Sequence, residues 1–330
     1  MESSIEVSII IPTRNRKNML KDVIKSLFNQ TYPKDKYEII VCDDGSTDGT
    51  EEIVKNMMKN APCKLRYFKV QSKYRGPAFP RNVGIRAARG EIIGFTDDDC
   101  IVTPTWIEKA ISYFRKREAG GIQGYVAPQI YKPNKIEKIF KIPRVITQTE
   151  DNGWYITANM FFRKKAIIEA GYFDPALVWG QDTDLAYRVK RLGYKILFGE
   201  DVVVYHAVQY IGYLEYFKLS KKLEFFALQL KRNPEIRKTL YLGFIFKRQH
   251  IYPIFFLFAI ISALFHIDIN ITYSALLASL ASYLWGRVFR DSHVKLYPIR
   301  IIAFWRNFVI DFISLYYTVR GAISYKCFVI

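Results

Sequence analysis

Apolar residues in the first third of the chain alternate between short unbroken runs and longer one-sided stripes. Unbroken, β-branched runs are typical of buried strands, whereas stripes that repeat every three to four residues are typical of helices. The pattern therefore predicts alternating strands and helices. Strands are predicted at residues 7–13, at 64–70, at 91–96 and in a run that starts at Tyr37. Helices are predicted at residues 17–29, 51–59 and 80–90, and Gly90 closes the last one.

This alternation predicts an α/β fold with a Rossmann-like, mainly parallel sheet and helices on both faces. Ligands of such sheets bind outside the carboxyl ends of the strands. Asp43 and Asp44 follow the second predicted strand, and residues 97–99, all aspartates, follow the fourth. The carboxyl edge of the sheet is therefore where we expect the chemistry.

Three adjacent carboxylates, Asp97, Asp98 and Asp99, come directly after the apolar run EIIGF. They repel one another unless a positive group binds there. If the chain stays extended, Asp97 and Asp99 share a side and offer oxygen ligands that suit Mg²⁺ or Mn²⁺. The alternative is a solvated acidic loop. The preceding apolar run favours the metal site, because it places the triad at the mouth of a core strand.

The segment DDGS, which begins at Asp43 and Asp44, allows two interpretations. A carboxylate at a strand end could accept hydrogen bonds from the ring N–H groups of uracil or guanine. Aspartate, glycine and serine are also ordinary turn formers. Both interpretations stay open at this point.

An amphipathic pattern over residues 178–196 contains Trp179, Asp182 and Asp184 at its start and Leu185, Val189 and Leu192 on its apolar side. An aspartate here could be a general base beside an indole ring that supports a sugar. Acidic residues in a first turn also stabilise the helix dipole, so a purely structural role is the alternative.

His206 ends the apolar segment VVVYH, which predicts a further strand. A single histidine after a strand is more often a hydrogen-bonded structural residue than a ligand. It becomes a metal-ligand candidate if this strand returns to the corner formed by residues 97–99.

Charge is distributed unevenly along the chain. The formal net charge is +18, and the residues after His206 include 16 basic but only 6 acidic ones, among many aromatic residues. A basic, aromatic segment suits an anionic membrane surface better than a nucleic-acid groove, so we expect a membrane and no nucleic acid as partner. The four cysteines are scattered without ligand spacing, which argues against structural zinc and for a reduced compartment.

The C-terminal part predicts helices that associate with a membrane. Residues 215–232 form a basic amphipathic pattern of the kind that lies in a bilayer interface. Residues 251–265 and 269–286 contain no Asp, Glu, Lys or Arg, and the turn between them contains Asp268. A helix of 15 residues reaches about 22 Å, short of the roughly 30 Å hydrocarbon core, so a short or re-entrant hairpin is expected. Lys247, Arg248, Arg287 and Arg290 flank the pair. By the positive-inside rule, both ends of the hairpin then face the cytoplasm. A buried helical domain is the alternative.

Six segments, in this order and spacing over roughly residues 5–210, resemble the family 2 glycosyltransferases. The resemblance implies a GT-A fold and transfer of a sugar from a nucleotide-sugar donor with inversion. The segments are VSIIIPTRNR, IIVCDDGSTDGT, GPAFPRNVGIRAARGEIIGFTDDD, ITANMFFRKKAIIEAGYFD, GQDTDLAYRVKRLGY and VVVYH.

The resemblance also implies roles on the donor side. Pro12, Thr13 and Arg14 would line the nucleotide pocket, and Asp44, with Asp43 beside it, would face the base. Arg81 would sit near the donor, and Asp98 would belong to the same donor-binding corner. Asp97 and Asp99 match the metal-binding aspartate pair of the family, with His206 near the metal and the diphosphate.

On the acceptor side, the resemblance implies that Asp182 is the catalytic base. The family commonly has Glu-Asp where this chain has Gln181-Asp182, and a glutamine cannot take a proton. Asp184 is the reserve candidate for the base, and Trp179 and Gln181 are further acceptor-side candidates.

Together these observations predict two regions: a GT-A catalytic domain over residues 1–210 and a helical, membrane-associated region over residues 211–330. We expect an inverting hexosyltransferase that uses Mn²⁺ or Mg²⁺ and a UDP- or GDP-linked sugar, at the cytoplasmic face of the cell membrane. Its acceptor would be a lipid-linked saccharide, another glycan or a polyprenyl phosphate. The alternative is a catalytically degenerate, membrane-bound nucleotide-sugar-binding protein.

Overall fold

The structure is a computed structural model, and it divides into two compact units. The first unit comprises Met1–Lys132 and Pro143–Gln209, and the second is chiefly Tyr210–Ile330. The first unit is α/β and the second is helical. The residues that the structure describes are 4–74, 76–116, 119–130, 141–240, 242–245, 251–284 and 299–330.

An eight-stranded sheet forms the centre of the first unit, in the order β3-β2-β1-β4-β8-β6-β9-β5. Every residue of β1 and β2 is buried, as expected for strands covered on both faces. The strands of this sheet are β1 (Val7–Thr13), β2 (Tyr37–Asp43), β3 (Lys64–Lys69), β4 (Ile92–Phe95), β5 (Cys100–Val102), β6 (Gly121–Pro128), β8 (Met160–Arg163) and β9 (Ile196–His206), while β7 (Ile142–Arg144) and β10 (Gln209–Ile211) lie outside it.

The predicted parallel arrangement holds for the first four strands. β1 pairs in parallel with β2 and β4, and β2 with β3. Beyond β4 the sheet is mixed, because β8 runs antiparallel between β4 and β6, and β5 runs antiparallel to β9. The antiparallel pairing of β5 with β9 returns His206 to the aspartate corner, as the ligand hypothesis requires.

Helices cover the sheet of the first unit. The helix Lys17–Phe28 buries Leu20, Val23, Ile24 and Leu27, which is the apolar stripe of a surface helix. Among the described residues, the α-helices of this unit are α1 (Lys17–Phe28), α2 (Thr50–Met58), α3 (Ala78–Ala87), α4 (Trp106–Lys116), α5 (Lys164–Glu169) and α6 (Gln181–Arg191).

Two expectations about helix ends are wrong. α3 ends at Ala87, and Ala88 is already extended, so Gly90 does not cap the helix. A Cβ at Gly90 would come within 2.7 Å of the backbone nitrogen of Ser8, so this glycine instead allows the chain to pass close to β1. Leu192 lies beyond the end of α6 and is 49% exposed, so it does not belong to the apolar stripe.

The second unit consists of helices. The predicted amphipathic helix over residues 215–232 is interrupted by a 3₁₀ turn at Lys221–Glu224. Among the described residues, no helix combines the length and the apolar character that crossing a bilayer requires. The basic residues at 247, 248, 287 and 290 lie outside the described residues. The helices are α7 (Tyr213–Ser220), α8 (Phe225–Arg232), α9 (Ile251–Leu264), α10 (Ile269–Leu284) and α11 (Ile299–Tyr325).

Candidate active site

The aspartate triad forms a turn at the carboxyl end of β4. The Cys100 backbone N–H donates to the Asp97 carbonyl at 3.2 Å, so the chain does not stay extended, as the pairing of Asp97 with Asp99 had assumed. The turn divides the triad: Asp97 has one basic partner, and Asp98 and Asp99 share another.

Two arginines balance the charge of the triad. Nη2 of Arg81 lies 2.7 Å from Oδ1 of Asp97. Nη1 of Arg16 lies 3.0 Å from Oδ1 of Asp98 and 2.7 Å from Oδ2 of Asp99. Burial raises the pKa of Asp98 to about 6, although Arg16 and the hydroxyl of Thr13 act in the opposite direction. The positive partner that the triad demands is therefore supplied by side chains of the chain itself.

Asp99 and His206 meet because Cys100 pairs with His206 across β5 and β9. Nε2 of His206 lies 3.3 Å from Oδ1 of Asp99. Nδ1 of His206 lies 2.9 Å from the carbonyl of Ala207, and since a carbonyl only accepts, Nδ1 carries the hydrogen. In the neutral ring, the lone pair of Nε2 then faces a carboxylate oxygen.

Two facing lone pairs require a proton or a cation between them, so the pair fits a metal. Asp99, Cys100 and His206 offer ligand atoms that all lie within 4.8 Å of one another. Burial raises the pKa of the Cys100 thiol well above its usual range, which keeps the sulfur protonated, so Asp99 and His206 are the better ligands. Asp97 is not part of this cluster, and its role as a ligand stays a prediction.

The proposed nucleotide pocket lies where β1 and β2 end side by side. Pro12 and Thr13 are buried, and the Thr13 hydroxyl donates to Asp98 at 2.8 Å. Arg14 is exposed and lies 3.6 Å from Asp44, whose carboxylate also accepts from the Ser72 backbone N–H at 3.0 Å. Asp44 is partly exposed and can still meet a ligand.

Asp43 has a different environment from its neighbour. It is fully buried, accepts a hydrogen bond from the Ser46 backbone N–H at 2.9 Å and another from the Tyr67 hydroxyl at 2.6 Å. The Ser46 contact stabilises the turn that follows β2, and the Tyr67 contact ties Asp43 to β3. The turn interpretation of the segment therefore describes Asp43, whereas the base-facing interpretation remains available for Asp44.

Arg81 is buried in the first turn of α3, with its guanidinium carbon 5.7 Å from the centroid of the Phe173 ring. Within the described part of the chain, its Nε and Nη1 atoms have no hydrogen-bond partner. Buried donors without acceptors are destabilising, so these two nitrogen atoms are suited to donate to oxygen atoms of a ligand.

Asp182 lies in the first turn of α6. Its Oδ2 accepts from the Thr157 backbone N–H at 3.2 Å, and its Oδ1 accepts from that of Thr183 at 3.1 Å. Burial raises the pKa of Asp182, while the charge of Arg81 and these N–H groups act in the opposite direction. A partly exposed carboxylate with a raised pKa is a suitable general base.

The remaining acceptor-side candidates surround Asp182 differently. Asp184 is buried and ion-paired with Arg188 at 2.9 Å, and Arg188 also donates to the carbonyl of Tyr172. Asp184 therefore positions Arg188, which ties α6 to the turn after α5. Trp179 lies 5.9 Å from Trp154, ring centre to ring centre, and Gln181 is buried at the start of α6.

Two residues of the corner were missed by sequence reasoning. Arg16 was not singled out, although the repulsion within the triad called for a cation. The second residue is Gln209, whose Nε2 donates to Oδ2 of Asp99 at 2.8 Å. The side-chain oxygen Oε1 of Gln209 accepts a hydrogen bond from Nη1 of Arg144 at 3.2 Å. No sequence signal marks Gln209, because its contact depends on where the chain goes after β9.

The carboxyl-edge corner, the partly exposed carboxylate at the start of α6 and the sheet order suit a GT-A-like sugar transferase. The profile described as "Glycosyl transferase family 2" matches residues 8–174, half of the chain. The protein belongs to this family and is a glycosyltransferase.

Curated relatives agree with this assignment. The glycosyltransferase AglE of Haloferax volcanii is 29% identical over 211 residues, which cover 63% of this chain and 69% of AglE. The GalNAc(5)-diNAcBac-PP-undecaprenol β-1,3-glucosyltransferase of Campylobacter jejuni is 43% identical over 94 residues, 28% of this chain and 29% of that enzyme. The match to the Staphylococcus aureus poly(ribitol-phosphate) β-N-acetylglucosaminyltransferase TarS covers 47% of this chain but only 28% of TarS.

Solved structures share the fold at low identity. The mannosyltransferase PcManGT from Pyrobaculum calidifontis, in complex with GDP-Man and Mn²⁺, has a TM-score of 0.58 and 17% identity, covering 97% of this chain and 87% of that one. TarS 1–349 in complex with UDP has a TM-score of 0.53 and 18% identity, covering 97% and 91%. The mainly parallel, helix-covered sheet is thus a known transferase fold.

Proposed function

We propose that the protein is an inverting, divalent-metal-dependent hexosyltransferase that uses a UDP- or GDP-linked sugar. The observation that carries this proposal is the contact between Nε2 of His206 and Oδ1 of Asp99 at 3.3 Å, where a cation fits between a lone pair and a carboxylate. Mn²⁺ or Mg²⁺ held there would stabilise the negative charge of the departing nucleoside diphosphate. The GDP-Man and Mn²⁺ held by PcManGT and the UDP held by TarS support this donor class.

The residues of the chain divide the remaining work. Asp44 faces the base, and either uracil or guanine can donate a ring N–H to it. The Nε and Nη1 atoms of Arg81, which have no partner among the described residues, donate to oxygen atoms of the donor. Asp182 takes the proton of the acceptor hydroxyl. One carboxylate suffices for direct displacement, whereas a retaining glycosidase needs a second one as nucleophile.

We further propose that the acceptor is lipid-linked, a saccharide or a polyprenyl phosphate, and that the second unit holds the enzyme at the cytoplasmic face of the cell membrane. α9 and α10 form a hairpin with its polar contacts inside: the Thr272 hydroxyl donates to that of Ser262 at 2.9 Å, and the Ser279 hydroxyl to the carbonyl of Tyr252 at 2.9 Å. The acceptor named for the Campylobacter jejuni relative, an undecaprenol-linked saccharide, supports the same choice.

The outer face of this hairpin is apolar. Its large hydrophobic side chains are widely exposed, among them Leu264 at 70%, Phe265 at 75% and Leu277 at 66%. An arrangement with polar groups inside and apolar groups outside is the reverse of that in a water-facing helix pair, and it suits contact with lipid. The hairpin would enter the bilayer without crossing it, since α9 reaches only about 21 Å.

Vesicle flotation tests the membrane proposal. We expect F265E and L277E to reduce binding to anionic vesicles at least about tenfold, because each places a charge in the lipid-facing surface. L192E, at an exposed leucine of the first unit, is the matched control and should bind as wild type does. Equal flotation of all four proteins would contradict this attachment.

Donor turnover tests the catalytic proposal. Purified protein should release UDP or GDP from one of a panel of UDP- and GDP-sugars with Mn²⁺, and chelator should abolish the release. Binding of the donor without any turnover, with or without a lipid-linked acceptor, would instead support the degenerate, nucleotide-sugar-binding alternative. Gln181, which replaces the common glutamate of the family, is the residue that favours that alternative.

A further inference from the structure

Arg16 supplies a positive charge to Asp98 and Asp99, and Asp99 is also a proposed metal ligand. A single atom, its Nη1, contacts Oδ1 of Asp98 at 3.0 Å and Oδ2 of Asp99 at 2.7 Å. The two aspartate side chains are 9% and 4% exposed, whereas that of Arg16 is 36% exposed. Arg16 thus reaches into a buried acidic corner from the side that is open to solvent.

The other partners of Asp99 are held in place by the first unit. His206 is fixed by the pairing of β9 with β5, and Gln209 is fixed by its contact with Arg144. Arg16 differs from both, because it immediately precedes α1 and its backbone is not part of the sheet. Of these partners, Arg16 is the one whose side chain can leave without disturbing a strand.

The loop that carries Arg16 is joined to the loop that would hold the nucleotide. The Asn15 backbone N–H donates to the hydroxyl of Ser46 at 2.8 Å, and the Thr47 backbone N–H donates to Oδ1 of Asn15 at 2.7 Å. Asn15 has φ of 53°, in the left-handed region. A nucleotide bound beside Asp44 would therefore meet the segment that sets the position of Arg16.

We propose that Arg16 is a built-in counter-cation that neutralises the carboxylate of Asp99, a proposed metal ligand, before the donor binds and then transfers to the diphosphate of the donor. This inference rests on the proposed function. Arg16 and a divalent ion on the same carboxylate repel each other, so the metal alone binds weakly. A diphosphate offers the guanidinium charge-assisted hydrogen bonds that replace those to Asp98 and Asp99.

The consequence is a coupling between metal and donor. By linkage, a nucleoside diphosphate that draws Arg16 away strengthens metal binding, and the metal strengthens nucleotide binding by the same factor. Such an enzyme would assemble its metal site only when a donor is present. The acidic corner would remain neutralised at all other times.

Mn²⁺ binding, measured by electron paramagnetic resonance with and without UDP or GDP, tests this inference independently of activity. We expect R16Q to bind Mn²⁺ alone at least about tenfold more tightly than wild type, since one charge repulsion is removed. The strengthening by nucleotide should shrink by a similar factor. R16K keeps a positive charge at the corner and should stay within about threefold of wild type.

The matched control is R115Q, which removes an arginine of the same unit that pairs with Glu6 instead. It should leave both Mn²⁺ affinities unchanged, and circular dichroism confirms that each variant is folded. If Mn²⁺ binds wild type and R16Q equally, the role of Arg16 is overturned while the metal site stands. If Mn²⁺ binds no variant even with nucleotide, the proposed metal-dependent function falls, and the role of Arg16 falls with it.

Discussion

The carboxylates on the two sides of the proposed site are held in different ways. On the donor side, Asp97 pairs with Arg81, and Asp98 and Asp99 share Arg16. On the acceptor side, Asp182 accepts hydrogen bonds from two backbone N–H groups. The same residue type is therefore in direct contact with arginines at one place and with backbone N–H groups at the other.

This difference separates two chemical tasks. A carboxylate that contacts a guanidinium is held in position beside a positive charge, which suits a group that must hold a cation or stand beside a diphosphate. A carboxylate that burial makes more basic is suited to take a proton. Exchanging the two environments would spoil both tasks, so variants on the two sides should fail in different ways.

The largest effect is expected from D99N. It removes the carboxylate that Arg16, His206 and Gln209 share, and transfer should fall about 10⁴-fold if that charge holds a metal, together with loss of Mn²⁺ binding. D201N, at an exposed aspartate of β9, is the control and should retain both. Transfer and Mn²⁺ binding at wild-type levels in D99N would end the case for a metal at this corner.

D182N should fail in another way. Removal of the base should lower the rate of transfer to a sugar hydroxyl about 10³-fold. The affinities for Mn²⁺ and nucleotide should stay within about threefold of wild type, because asparagine keeps the size of the side chain and its single oxygen still accepts one of the two backbone N–H groups. With a polyprenyl phosphate acceptor, which is already nucleophilic, the loss should be small, so the size of the loss identifies the acceptor class. Loss of Mn²⁺ binding in D182N would contradict the division of tasks.

The sequence predicted what depends on local pattern. The apolar runs of β1, β2 and β4 and the mixed segment of β3 identified four parallel strands, and the turn residues after β2 and the aspartates after β4 identified the carboxyl edge. The antiparallel insertion of β8 was not predicted, because its partners β4 and β6 are chosen by tertiary packing and not by the composition of the strand.

The candidate site was predicted where a single residue type suggests chemistry. The repulsion within the triad at residues 97–99 called for a positive group, and a metal was the only one considered. Arg16 was missed because its contacts with Asp98 and Asp99 join residues more than 80 positions apart. A turn at Cys100 then divided the triad, which no periodicity in the run before it could have indicated.

Asp184 sharpens the comparison, because it lies on the acceptor side but has an arginine partner. D184N leaves Arg188 without its buried carboxylate and should lower the free energy of unfolding by about 3 kcal/mol, measured by urea titration. At urea concentrations below the unfolding transition, the transfer rate of D184N should stay within about threefold of the wild-type rate. A catalytic loss as large as that of D182N, with unchanged stability, would instead make Asp184 the base.

The pH dependence of transfer gives the smallest expected effect and tests the environment of Asp182 directly. A base acts only when ionised, so the rate should fall as the pH drops through the pKa of Asp182. An ordinary aspartate has a pKa of about 3.9. Because burial raises the pKa of Asp182, the rate should fall at a higher pH than that. The residual activity of D182N is the control and should lack this acid limb, while circular dichroism shows that both proteins remain folded over the range. An identical acid limb in D182N would assign the titration to another group. Asp182 would then not be the base, and the proposed chemical difference between the donor-side and acceptor-side carboxylates would be contradicted.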